Sequence, residues 1–267
     1  MEKDIQSTRV NQKSVNSQQT DLKHIGIVGC SAEGAALCYK TICTESANFF
    51  ENNSLNSEFL GEHAHPEVSM HTHSLADYVV CLNDGDLQGI GDLMLSSAEK
   101  LKRAGAEFLI CPDNTIHQAF SYVEQHSPLP WIHIADAVVA EAKMKGFQTL
   151  GILGTSWLVE SDVYPEKIDQ AELKWLRPNQ NEIDEIGRII MDELVFGVFK
   201  PESVAYFQSV IVELKARGCD AIILGCTEIP LIIDDANSAL PTLNSNRLLA
   251  EAAMNESVMT KIIKDLL

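Results

Sequence analysis

Two short stretches of this 267-residue chain carry residues able to move protons. In one, Gly218-Cys219-Asp220-Ala221-Ile222-Ile223-Leu224-Gly225-Cys226-Thr227-Glu228, an apolar run breaks at a glycine and delivers a thiol, a hydroxyl and a carboxylate. In the other, Gly105-Ala106-Glu107-Phe108-Leu109-Ile110-Cys111-Pro112-Asp113-Asn114-Thr115, a similar run delivers a carboxylate, an amide and a hydroxyl. Both runs are too short for helices and read as buried parallel strands. Ligands of open α/β sheets bind beyond the carboxyl ends of such strands. Aligned on Gly105 and Gly218, Asp113 falls opposite Cys226, Asn114 opposite Thr227 and Thr115 opposite Glu228. A lone cysteine reads first as buried packing; the repetition makes it a candidate for chemistry.

The elements that must position these residues also occur twice. His24 to Val28 forms a short apolar strand opening onto Gly29-Cys30-Ser31, followed by a helix from Ala32 to Phe50. Gly151-Ile152-Leu153-Gly154-Thr155-Ser156 mirrors that strand and turn, and Ser238-Ala239-Leu240-Pro241 mirrors Ser127-Pro128-Leu129-Pro130. Self-similarity over half the chain indicates duplicated units. The predicted fold is α/β: two similar doubly wound parallel-sheet lobes related by a pseudo-twofold, with a cleft between them. Glu67 to Ser74 reads as an edge or second strand. Leu87 to Ala104, a segment through Lys145, Glu182 to Phe196 and Pro201 to Arg217 read as helices. The predicted organisation is a flexible polar tail over 1–23, lobe 1 over 24–136, lobe 2 over 137–244, and a C-terminal helix over 245–267 returning to lobe 1.

Composition narrows the function. A net charge of −18 argues against nucleic acid and anionic membrane surfaces as partners. Seven cysteines without close repeated spacing suggest free thiols and a cytoplasmic setting. No apolar run reaches the ~20 residues of a membrane span, and the polar N-terminal segment lacks the apolar core of a signal peptide. His63, His65, His71 and His73 cluster, but without nearby Cys or grouped carboxylates they read as strand residues rather than a metal site.

One proton-transfer group from each lobe, facing a small ligand from opposite sides, suits deprotonation of a carbon on one face and reprotonation on the other. That is racemisation or epimerisation, and it demands no cofactor. Ser31, Asn114, Thr115, Thr155 and Thr227 supply hydroxyl and amide donors that can hold a carboxylate, or simply cap helices.

These residues resemble the cofactor-independent aspartate/glutamate racemase family. The resemblance runs from Ile25 to Leu249 and is strongest at Gly225-Cys226-Thr227-Glu228. Asn114-Thr115-Ile116-His117, Gly29-Cys30-Ser31-Ala32-Glu33, Leu129-Pro130-Trp131-Ile132-His133-Ile134 and Gly154-Thr155 are similar to further family segments. It implies an amino-acid racemase, an isomerase needing no pyridoxal phosphate, acting on an amino acid such as aspartate and commonly a homodimer. It also implies that Lys167, in Tyr164-Pro165-Glu166-Lys167, faces a side-chain carboxylate. One departure matters: Asp113 stands where the family has cysteine. With reference pKa values of ~3.9 for Asp and ~8.5 for Cys, Asp113 is the base and Cys226 the acid by default. Two-way turnover then requires burial to raise Asp113, and a helix N-terminus to lower Cys226. The alternatives are a lyase or isomerase using Cys226 alone on a related acid, and a two-lobed binding module without catalysis.

Overall fold

The computed structural model describes residues 22–53 and 63–265. The predicted polar tail therefore lies almost wholly outside the described residues. Two four-stranded, all-parallel sheets form the framework. The first contains β1 (Ile25–Gly29), β2 (Val68–Thr72), β3 (Phe108–Ile110) and β4 (Trp131–Ile132), in the order β2-β1-β3-β4. The second contains β5 (Thr149–Leu153), β6 (Lys174–Leu176), β7 (Ala221–Leu224) and β8 (Thr242–Asn244), in the equivalent order β6-β5-β7-β8. In each sheet the order reverses between the first and third strands, the place where such sheets open a ligand crevice.

Every residue of β1, β3 and β7 is buried, as expected of parallel strands covered on both faces. The covering helices of lobe 1 are α1 (Ala32–Asn52), α2 (Leu75–Asp84), α3 (Leu87–Arg103) and α4 (Phe120–His126). Those that follow are α5 (Ile134–Lys145), α6 (Ser156–Val159), α7 (Val163–Gln170), α8 (Gln180–Asp192), α9 (Pro201–Ala216) and α10 (Ser245–Asp265). The last helix of each half packs on the other half. Ala135, Val138 and Ala142 of α5 pack with Leu150 and Ile152 of β5. Leu249, Ala253 and Met254 of α10 pack with Ile25 and Ile27 of β1.

The repeat extends to individual hydrogen bonds. Gly105 and Gly218 end α3 and α9 with φ of 101° and 103°, a region that favours glycine. Two residues later, Glu107 accepts from the His24 backbone N–H at 3.0 Å, and Asp220 accepts from Gln148 and Thr149 at 2.7 and 3.0 Å. Each acid thereby ties the turn before an outgoing strand to the strand beside it.

The helix expected over Glu182 to Phe196 stops at Asp192 and gives way to a 3₁₀ turn over Leu194–Phe196. The break falls at Glu193, whose buried carboxylate gathers Ser203, Arg188 and Lys200 at 2.6, 3.0 and 3.1 Å. Helices α2, α4, α6 and α7 and strand β6 lie outside the predicted set. Among the described residues, no helix is long and apolar enough to cross a membrane.

Candidate active site

The strand ends of the two lobes converge on one cavity of about 110 Å³. Lobe 1 contributes Cys30 and Ser31 after β1 and Asp113, Asn114 and Thr115 after β3. Lobe 2 contributes Thr155 after β5 and Gly225, Cys226, Thr227 and Glu228 after β7. The hydroxyls of Thr115 and Thr155 meet across the lobes at 3.2 Å. Ser31 caps α1 by accepting from Gly34 N–H at 3.2 Å, which leaves its own O–H free to donate. A larger depression, about 670 Å³, lies between α1, α5 and α10 beside Glu45, Arg247 and Glu251, away from these strand ends.

Asp113 is held from behind. Its Oδ1 accepts from Ile116 N–H at 3.3 Å, and its backbone carbonyl lies 2.6 Å from His117 Nδ1. His117 Nε2 accepts from Ile134 N–H at 3.3 Å, so Nδ1 carries the proton and donates to that carbonyl. Burial raises the Asp113 pKa; hydrogen bonds from Ile116 and the Cys30 thiol oppose the rise, and the Glu228 charge adds to it. Across the cleft, the Cys226 thiol donates to Glu228 Oε2 at 3.0 Å, and the Thr227 hydroxyl donates to the same oxygen at 2.8 Å.

The sequence model of the Asp/Glu/Hydantoin racemase family matches residues 51–253, more than half of the chain. The chain belongs to the Asp/Glu/Hydantoin racemase family. It is thus placed among isomerases. It is 23% identical over 167 residues to the broad specificity amino-acid racemase RacX of Bacillus subtilis (strain 168), covering 61% of this chain and 70% of RacX. Two glutamate racemases match in sequence over only about half their length, 51% and 49%. Among solved structures, a candidate Asp/Glu racemase from Yersinia pestis superposes with a TM-score of 0.78 at 27% identity, covering 88% of this chain and 99% of that one. PH1733, an aspartate racemase homologue from Pyrococcus horikoshii OT3, gives 0.73 at 26% identity, with the same coverage of both chains.

Within this racemase-family fold, two expectations need correction. Cys226 is not followed by a helix N-terminus but by a 3₁₀ turn over Ile229–Leu231. Its pKa is raised, not lowered: burial is the main cause, and the Glu228 carboxylate adds to it. Lys167 does not line the cleft. Its ammonium lies 3.1 Å from Asp136 and borders a separate cavity with His117 and His133. Asn114 lies at the cleft, but its side chain is committed elsewhere. Its Oδ1 accepts from Tyr164 O–H at 2.6 Å, and its Nδ2 donates to Ser245 Oγ at 3.0 Å. Ser245 in turn donates to the Leu224 carbonyl at 2.8 Å, just ahead of Cys226. This buried strut spans both lobes and leaves Asn114 one side-chain N–H and its backbone for contact with a ligand.

Tyr164→Phe is expected to strand the Asn114 carbonyl oxygen. An unsatisfied buried acceptor costs about 1–3 kcal/mol. Chemical denaturation should show a loss of that size, with reduced turnover from loosened alignment of Asp113 and Cys226.

Glu228 and Cys30 escaped the sequence reading as partners of the two acid/base groups. The signal for Glu228 was present, a carboxylate two residues beyond the thiol, but spacing alone does not set its rotamer. The Cys30 thiol pKa is raised by burial and by Asp113. His71 and His73 belong to a side-chain network, contacting Ser97, Ser96 and Lys100 at 2.9, 3.2 and 2.9 Å. Among the described residues, no group of three or more His, Cys, Asp or Glu is arranged to hold a metal ion.

Two of the buried histidines, His117 and His133, have a consequence for stability. Burial lowers the His117 pKa to about 4 and that of His133 to about 2. Unfolded histidine titrates near ~6.5, so below that pH the unfolded chain binds more protons. Stability from these groups is full above pH ~6.5 and is lost as pH falls through the folded values. His117 alone accounts for about 3 kcal/mol at 1.36 kcal/mol per unit. Denaturation midpoints should fall from pH 7 to pH 4.5, and His117→Gln should flatten that slope. The raised Asp113 carboxyl works in the opposite sense, since its protonation favours the folded state.

Proposed function

We propose that this protein is an amino-acid racemase that transfers the α-proton between Asp113 and Cys226 across the cleft, without pyridoxal phosphate. The observation that carries the reading is that these two groups, at equivalent strand ends of the two lobes, line one small cavity. Ser31, Thr115 and Thr155, with neighbouring backbone N–H groups, surround the position for the substrate α-carboxylate, while the Thr227 hydroxyl donates to Glu228 and leaves only the Thr227 backbone N–H for the ligand. Hydrogen bonds there stabilise the charge that develops as the α-proton leaves.

In the favoured direction the Asp113 carboxylate takes the α-proton from one face while the Cys226 thiol donates a proton to the other. Asp113 is then neutral and Cys226 a thiolate. For the reverse direction, Cys226 must act as the base, and Glu228, 3.0 Å from its sulfur, is the group placed to accept the thiol proton. The raised Asp113 pKa brings the carboxyl toward the range in which it also serves as an acid. The raised Cys226 pKa makes the thiolate form the scarcer one, so kcat and KM differ between the two enantiomers while kcat/KM, fixed by an equilibrium constant of one, does not. That inequality also favours a second reading, a lyase or isomerase in which Cys226 alone protonates a carbanion.

Incubation of candidate amino acids in deuterated water separates the two. Racemisation yields the opposite enantiomer with α-deuterium and no carbon dioxide; a decarboxylating lyase releases carbon dioxide. Binding without exchange of any candidate would leave the protein a ligand-binding module. The homodimer and cytoplasmic setting implied by the family are further expectations, the first open to sedimentation equilibrium.

A further inference from the structure

The polar strand ends form only the floor of the cleft. Its wall is built by Leu75, Val79 and Leu82 of α2, at one-face helical spacing, and by Trp157, Met191 and Val195 of lobe 2. Among the described residues, no lysine, arginine or histidine lines the cavity, whereas two carboxylates, Asp113 and Glu228, do. The nearby Lys167 is paired with Asp136 in a separate cavity, and Arg188 and Lys200 are paired with Glu193. A second carboxylate on the substrate would therefore lose water against hydrocarbon, beside like charges and without a counter-ion. An apolar side chain meets the opposite conditions. Leu75, Met191 and Val195 remain 44%, 37% and 43% exposed, so a hydrocarbon group lying along them removes apolar surface from water on both sides.

We infer that the cleft selects amino acids with neutral, apolar side chains over aspartate and glutamate, with α2 and the Trp157–Met191–Val195 wall as the specificity surface. This rests on the racemase reading for its chemistry, but the selection itself concerns binding. Burial of one methylene against this wall tightens binding about fourfold, so affinity climbs from alanine through valine to leucine and methionine.

The test is calorimetric binding of L-alanine, L-leucine, L-methionine, L-aspartate and L-glutamate to the full chain, paired with α-deuterium incorporation for the same panel. Expected is at least tenfold tighter binding of leucine and methionine than of either acidic amino acid. Met191→Lys, a change at the exposed rim, should narrow or invert that ratio. Aspartate or glutamate binding as tightly as leucine, or no member of the panel binding, would overturn the inference. Exchange of aspartate alone would overturn the substrate class and leave the racemase reading standing. Tight leucine binding without deuterium incorporation in any amino acid would overturn the racemase reading and leave the selection standing.

Discussion

Cys226→Ala is expected to lower enantiomer interconversion by about 10²–10⁴-fold, the contribution of one positioned acid or base. The thiol is the proposed proton-transfer group of lobe 2, lining the same cavity as the Asp113 carboxylate, and alanine removes it without adding volume. The fold should tolerate the change. Cys226 is half-buried beside the cluster around Leu224 and Ile229, and Glu228 keeps its hydrogen bond from Thr227 at 2.8 Å. Chiral chromatography of the product, with a thermal melt as control, reads both parts. A wild-type rate in Cys226→Ala would remove the thiol from the mechanism. A collapsed melting temperature would show that the sulfur serves packing instead.

Asp113→Asn has the second large effect, and it should be asymmetric. The amide keeps the shape and the acceptor for Ile116 N–H, at 3.3 Å in the wild type, but it cannot take a proton at neutral pH. Racemisation is expected to fall by about 10²–10⁴-fold. α-Deuterium exchange of one enantiomer, the one whose proton faces Cys226, should persist because that face is untouched. The wild-type kcat/KM should rise with pH through an ionisation above the usual ~3.9 of an aspartate, since burial raises Asp113 and only its carboxylate is a base. The variant should lack that limb. It should also be more stable at neutral pH. A carboxyl whose folded pKa is raised stabilises the fold below its unfolded pKa, and that benefit is lost as pH rises through the folded value. Equal loss of exchange for both enantiomers would mean that Asp113 orders the cleft rather than serving one face.

The meeting of Asp113 and Cys226 at one cavity was legible in the sequence because their positions are set by backbone punctuation. Glycines that end helices, an acid two residues later and a short apolar strand recur in both halves. The fold follows those marks, so counting from Gly105 and Gly218 reached Asp113 and Cys226. Side-chain partnerships were not legible. The capture of Lys167 by Asp136 joins residues 31 positions apart on different helices, and no local pattern encodes it. Helix α2 escaped notice because only Tyr78 of its residues is buried. Tyr78, with Cys81 and Leu82 beside it, packs on the lobe 1 core, while Leu75, Val79 and Leu82 line the cleft, so the apolar residues of α2 are split between two surfaces and show no single buried stripe. The electrostatics of Cys226 were not legible either, because the chain beyond it forms a 3₁₀ turn and the Glu228 carboxylate lies against its thiol.

The central claim is that two groups, one per lobe, serve opposite faces of one carbon. Its most direct test is the distribution of deuterium at low conversion, starting from a single protiated enantiomer in deuterated water. If Asp113 removes the proton and Cys226 delivers another, the product enantiomer carries α-deuterium from the first turnovers while the recovered substrate enantiomer remains protiated. Equal deuterium in both enantiomers at low conversion, as one group working both faces would give, would contradict it.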